Sequence, residues 1–206
     1  CNRACENVDT VFHVAAVFRR VKGGREEIEA VHVGATEDLI RAAKQHGCRR
    51  FVHTSTMGVH GHVESGPGDE NSPFSPGDDY QETKVEGELR ALELGRELGV
   101  PVAVVRPCGI YGPGDTRFLK IVRPINKGRF VMIGSGQAHY HFVYIDDLIQ
   151  GYLLAGEKEE AIGDSFLIGG LESPTLNELA TLIAEILEVK PPRWRIPVAP
   201  IYYSGW

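Results

Sequence analysis

The chain contains no hydrophobic run near the ~20 residues that cross a bilayer, so no membrane association is expected. Its four cysteines, Cys1, Cys5, Cys48 and Cys108, form no CxxC pair, which excludes the common zinc-knuckle and dithiol redox spacings. Positive charge is not in excess. Its 22 Lys and Arg stand against 28 Asp and Glu, a formal net charge of −6, which argues against an electrostatic nucleic-acid partner. There is no signal peptide pattern, no internal repeat and no flexible linker. His53, His60 and His62 lie near Glu64, Asp69 and Glu70, but His53 sits in a strand-like run and is turned away by its period of two. No metal is expected there. What remains, 42% hydrophobic and 24% charged in 206 residues, is the composition of a globular domain with an appended lobe. Reduced thiols and a cytoplasmic location are the simplest expectation. The chain opens at Cys1 and stops at Trp206 inside an aromatic-rich segment, so a fragment of a longer protein is expected.

Along the chain, short β-branched runs alternate with helical patterns. Thr10–Ala16, Arg50–Ser55 and Val102–Arg106 read as buried strands, the third ended by Pro107. Between the first two, apolar residues at Ile28, Val31, Ala35, Leu39 and Ala43 recur at helical spacing, and Gly47 closes that helix. Asp79 with Glu82 reads as a capping box opening a helix to about Leu98. Strands joined by helices at this rhythm imply right-handed crossovers and a parallel sheet. The expected fold class is therefore α/β, a doubly wound sheet. Residues 1–112 form its main domain, and residues 113–206 form mainly a small substrate-binding lobe. Residues 144–170, with a helix over 146–155 and a strand over 165–168, are expected to return to the sheet. A helix is expected over 116–126, and a second capping box, Thr175 with Glu178, opens a helix to 188.

Tyr80 and Lys84 stand four apart at the start of the 79–98 helix, which places a phenol and an ammonium on one face. A neighbouring cation lowers a phenol pKa. Bringing it from ~10 to ~7 takes roughly 4 kcal/mol, more than one lysine can be assumed to supply. A second cation, such as an oxidised nicotinamide ring, would help. Ligands in open parallel sheets sit beyond the carboxyl ends of the strands. Ala15-Ala16, Ser55-Thr56 and Pro107-Cys108 all fall at such ends.

Five segments in order then resemble the extended short-chain dehydrogenase/reductase superfamily, in its NAD-dependent epimerase/dehydratase group. They are Asp9–Ala16, Phe51–Gly61, Tyr80-Gln-Glu-Thr-Lys84, Val105–Gly114 and Phe142–Asp147. The resemblance implies a Rossmann-like sheet and bound NAD or NADP. Tyr80 would be the catalytic acid/base. Lys84 would bind the nicotinamide ribose and hold Tyr80 acidic, and Thr56 would bond the substrate oxygen. Ala15, Ala16, Thr54, Ser55 and Pro107 would line the cofactor site. Cys108, Arg117 and His141 are candidate substrate contacts, each with a plainer reading: a small buried hydrophobe, a solvated surface arginine and a surface histidine. The implied substrate is a nucleotide sugar, oxidised and re-reduced on bound NAD. A homodimer through the 26–45 and 79–98 helices is expected if the chain follows the family.

The chain also departs from the family. His32 stands in Val-His-Val-Gly-Ala-Thr36 where Asn is frequent, His60 precedes Gly61 where Tyr is usual, and Asp79 precedes Tyr80 where Pro is usual. No strand leads into a Gly-rich turn opening a helix, so the pyrophosphate fingerprint and first βαβ unit are missing. These 206 residues alone are therefore expected to bind NAD poorly and turn over little. Two rivals stand beside the epimerase/dehydratase reading. One is an NADP-dependent carbonyl reductase or hydroxysteroid-dehydrogenase-like enzyme, which the Tyr80–Lys84 context favours. The other is a non-catalytic nucleotide-sensing protein on the same scaffold, which would need no acid/base group.

Overall fold

The computed structural model describes residues 1–18, 24–63 and 66–198. The glycine at position 23, Glu64 and the 201–206 aromatic segment lie outside them. In chain order the elements are β1 (Thr10–His13), α1 (Gly24–Glu29), a wide π-helical turn (Ala30–Gly34) and α2 (Ala35–His46). β2 (Arg50–Thr54), a 3-10 turn (Met57–His60), α3 (Asp79–Leu98), β3 (Val102–Pro107) and β4 (Gly109–Tyr111) follow. Next come α4 (Leu119–Asn126), β5 (Val131–Ile133), β6 (Phe142–Tyr144) and α5 (Ile145–Glu157). β7 (Ser165–Ile168), α6 (Leu176–Ile186) and β8 (Trp194–Ile196) complete the order. Two compact units result, one of residues 1–110 with 145–169, the other of residues 111–144 with 170–206.

The first unit is a four-stranded parallel sheet in the order β1-β2-β3-β7. Strand periodicity of two sends alternate side chains to opposite faces. Phe51 and Val104 pack with Ile40, Ala43, Ala91 and Leu94 of α2 and α3 in a buried apolar core. On the other face, Arg50 is fully buried and donates to the carbonyls of Ala155 and Lys158 at the end of α5. Gly156 lets that helix approach, since a Cβ there would lie 2.9 Å from the Phe12 ring. Helices thus cover both faces, as a parallel sheet requires.

The second unit holds its own apolar cluster of Ile125, Met132, Ala180 and Ala184, with Phe130 and Ile183 packed against it. β5 and β8 pair in parallel, Val131 opposite Trp194. The strand at 194–196 has no counterpart in the sequence expectation, because the prolines around it read only as punctuation.

Several local expectations change in detail. The helix over 26–45 is interrupted by the π-helical turn, which places His32 inside. Gly47 does close α2, at φ 68°. The N-cap of α3 is Asp78, one residue before the expected Asp79, and its carboxylate accepts from the Gln81 amide at 2.8 Å. The Thr175–Glu178 capping box is present in both halves. Among the described residues, no helix is long and apolar enough to cross a membrane.

Candidate active site

Because the sheet is parallel, the ends of β1, β2 and β3 meet on one edge, and α3 begins beside them. Asp78 caps the helix, so Tyr80 and Lys84 fall on its first turns. Lys84 is 2% exposed, and its Nζ donates to the carbonyl oxygen of Thr54, the last residue of β2, at 2.9 Å. Burial brings its pKa down from 10.5 to about 8. Thr54 is held from the other side of the sheet as well, its Oγ1 accepting from the Tyr152 hydroxyl of α5 at 2.8 Å. Burial pushes the Tyr152 phenol up to about 12, with Tyr80 adding to the rise. Thr54 therefore joins an ammonium from one helix layer to a phenol from the other.

Tyr80 is half-buried, its ring edge-on to His32 at 5.3 Å and to Phe18 at 4.9 Å. Its pKa lies above the ordinary 10, first through burial and then through the Asp78 carboxylate. The expectation that Lys84 holds this phenol acidic is corrected. The ammonium is committed to the Thr54 carbonyl and its own charge is disfavoured by burial, while the capping carboxylate acts on Tyr80 in the opposite sense.

The strand tip continues through Ser55, which is buried with an Oγ that has no partner among the described residues. Thr56 follows, and its Oγ1 accepts from the Gly58 amide at 3.2 Å, capping the 3-10 turn. That turn packs on the first turn of α3, since a Cβ on Gly58 would lie 3.2 Å from Gln81 Nε2. Ala15 and Ala16 are exposed just past β1, and the next amide, Val17, bonds to His32. Pro107 is buried at the end of β3, and the Cys108 amide donates to Ile168 at 2.9 Å. Burial raises the Cys108 thiol to about 11, which makes it a poor nucleophile.

Thr54, Ser55, Thr56, Tyr80 and Lys84 are thus gathered at one sheet edge. Arg117 and His141 belong to the second unit. There Arg117 pairs with Asp115 at 2.8 Å, and His141 donates to the Gly170 carbonyl at 2.6 Å. Two residues of this edge escaped sequence reasoning. Tyr152 carries no signal beyond being an aromatic in a helix, and its partner is 98 positions away. His32 was visible only as a departure from the family's usual Asn.

Three histidines surround Lys84. His13 and His32 are buried and their pKa values fall to about 4, through burial first and then the Lys84 charge. His53, wholly buried opposite His13 in the sheet, is held well below its ordinary value, by burial first and then by the Lys84 charge. The ring around the ammonium is therefore neutral at ordinary pH.

Residues 1–169 match the NAD dependent epimerase/dehydratase family. The chain belongs to that family. It is 33% identical, along its whole length, to a 3 beta-hydroxysteroid dehydrogenase/Delta 5-->4-isomerase of Mycobacterium tuberculosis, and spans 60% of that protein. Over 88% of its length it is 30% identical to a Bacillus subtilis protein named as an uncharacterized UDP-glucose epimerase, YtcB, spanning 59% of it. In structure it resembles DesIV, a dTDP-glucose 4,6-dehydratase of Streptomyces venezuelae solved with NAD bound. That likeness has a TM-score of 0.79 and 27% identity, over 95% of this chain and 63% of that one. The family is thus shown by sequence, and the doubly wound architecture by both sequence and structure.

Proposed function

We propose that this edge carries the oxidation of a secondary alcohol carbon, with Tyr80 moving the hydroxyl proton, in an NAD-dependent epimerase or dehydratase acting on a nucleotide sugar. The observation that carries the reading is Lys84. Its buried ammonium is anchored to the β2 terminus one helical turn beyond Tyr80, and only one of its three N–H groups is used by Thr54. A lysine 2% exposed has no solvation to gain there, so a placed charge needs a use.

The residues at the edge fit the nicotinamide end of NAD. Ala15 and Ala16 offer only methyl groups where a flat ring would approach, the unused Lys84 donors suit vicinal ribose hydroxyls, and the buried Ser55 Oγ has bonding capacity left. NAD, when bound, supplies the hydride acceptor. Tyr80 takes the substrate hydroxyl proton as its phenolate and returns it as the phenol, and the positive charge of oxidised NAD, when bound, would offset the burial and the Asp78 carboxylate that raise its pKa. Thr56, whose oxygen already accepts from Gly58, keeps its O–H to donate to the same substrate oxygen. Phe18 and His32 fix the ring of Tyr80 from two sides. The epimerase/dehydratase outcome is favoured by the family match over residues 1–169.

A second reading, net oxidation of a hydroxysteroid-type alcohol, is favoured by the 33% identity to the mycobacterial enzyme across the whole chain. The whole protein supplied with NAD and either UDP-glucose or a 3β-hydroxysteroid separates the two. Sugar conversion without accumulating NADH supports the first. Stoichiometric NADH with the steroid and none with the sugar replaces it by the second. No conversion of either substrate, nor of dTDP-glucose, contradicts both.

A further inference from the structure

We propose that His32 is a positioning residue, one whose two ring nitrogens tie the loop after β1 to the base of α3 so that the Tyr80 ring stays at the sheet edge. This rests on the reading of Tyr80 as the acid/base.

The backbone comes first. Between α1 and α2 the chain widens into a π-helical turn over Ala30–Gly34, a feature that inserts a residue and is often found at functional sites. His32 is the residue it turns inside, at 1% exposure. Its carbonyl is held by the Thr36 hydroxyl at 2.7 Å. α3 passes close by only because residue 87 is glycine, where a Cβ would lie 2.4 Å from that same carbonyl oxygen.

The ring then settles its own tautomer. Val17 contributes a backbone N–H at 3.2 Å, so Nε2 must accept. The proton therefore resides on Nδ1, which donates to Thr83 Oγ1 at 2.9 Å. The Thr83 hydroxyl donates onward to the carbonyl of Asp79 at 2.8 Å, with the Tyr80 carbonyl at 3.1 Å also in reach. A directional line of hydrogen bonds thus runs from the 14–18 loop to the carbonyl of Asp79, in the peptide that joins it to Tyr80. Protonation at Nε2 would break its first bond. Burial first, and then the Lys84 charge, oppose a cation on this ring, which keeps the line intact at neutral pH.

The same arrangement governs the side chain of Tyr80. His32 meets its ring edge-on, at an interplanar angle of 80°. Phe18, next in sequence to the tethered Val17, meets it at 88°. Release of the loop would shift Phe18, and loss of the imidazole would remove the other ring. Both walls of the phenol depend on one residue.

The test uses the whole protein, with turnover and the Tyr80 titration read by NMR of labelled tyrosine, assigned against Tyr80→Phe. Against wild type, His32→Phe keeps an aromatic edge but removes both hydrogen bonds. It is expected to lower kcat about 100-fold with KM changed by no more than about threefold, the scale of an ångström-level misplacement. It should also move the Tyr80 titration. His32→Gln, with an acceptor near the place of Nε2, should recover part of that loss. If His32→Phe fails to fold, His32→Gln and His32→Asn are judged by the same two readouts. Imidazole nitrogen NMR of the wild type reads the tautomer directly, an Nδ1–H form supporting the proposal and an Nε2–H form overturning it. Folded variants with kcat within twofold of wild type and an unmoved Tyr80 titration, beside an inactive Tyr80→Phe, would overturn the role of His32 alone. An active Tyr80→Phe would overturn the acid/base reading and this role with it.

Discussion

The ammonium of Lys84 donates across 2.9 Å to the carbonyl of Thr54, fastening the first turns of α3 to the tip of β2. A neutral partner cannot cancel a buried charge, so the folded protein carries this lysine at a cost. That cost makes Lys84 measurable.

Its pKa of about 8 lies below the ordinary 10.5, so between those values the unfolded chain binds more protons than the folded one. Stability from this group is complete above pH 10.5 and is lost as pH falls to 8. Lys84→Met has no such titration. Wild type should gain on Lys84→Met by roughly 3 kcal/mol in urea unfolding between pH 8 and 10.5. Parallel curves with a constant offset would contradict the burial of its charge.

The histidines give an acid limb. His13 and His32, with pKa values of about 4 against an ordinary 6.5, contribute stability that is whole above pH 6.5 and lost as pH falls towards 4. The urea midpoint should drop between pH 7 and pH 5, and a His13→Asn variant should lose less over the same interval. An equal loss in both proteins would remove His13 from the account.

Much of this arrangement was legible in the sequence, for physical reasons. Strand runs and helical spacing reflect burial on one or two faces, and they gave the β1-β2-β3 rhythm with its helices. Gly47 and the Thr175–Glu178 box announced helix ends through their own backbone chemistry. The rest depends on distance. A π-helical turn adds one residue without spoiling the apolar spacing, so His32 looked like a mere substitution. Asp78 and Asp79 are both capable caps, and only the backbone angles decide between them. Tyr152 meets Thr54 through a contact that no local pattern encodes. The direction of the Tyr80 shift follows from burial and from the Asp78 carboxylate, neither of which spacing reveals.

Tyr152→Phe tests the second helix layer. Removing the hydroxyl leaves Thr54 Oγ1 without its donor, a loss of about 1 kcal/mol in stability for a neutral hydrogen bond. Thr54 also anchors Lys84, so turnover should fall several-fold while the fold persists. Unchanged thermal midpoint and unchanged rate together would show that the bond is idle.

Gly87→Ala separates packing from propensity. At an exposed helical site the change would stabilise by about 1 kcal/mol. Here the added methyl would meet the His32 carbonyl at 2.4 Å, a backbone atom that cannot rotate away. Overpacking of this kind costs roughly 1–3 kcal/mol, so net destabilisation is expected in denaturant titration. A stabilised variant would mean that α3 sits farther from the π-helical turn than this contact requires.

The central claim is that the phenol of Tyr80 moves the substrate proton. The direct measurement is turnover of Tyr80→Phe in the whole protein with NAD and its converted substrate, alongside NAD binding by calorimetry. The account predicts a fall in kcat of about 10²- to 10⁴-fold with cofactor affinity preserved. Turnover within a few-fold of wild type would contradict it.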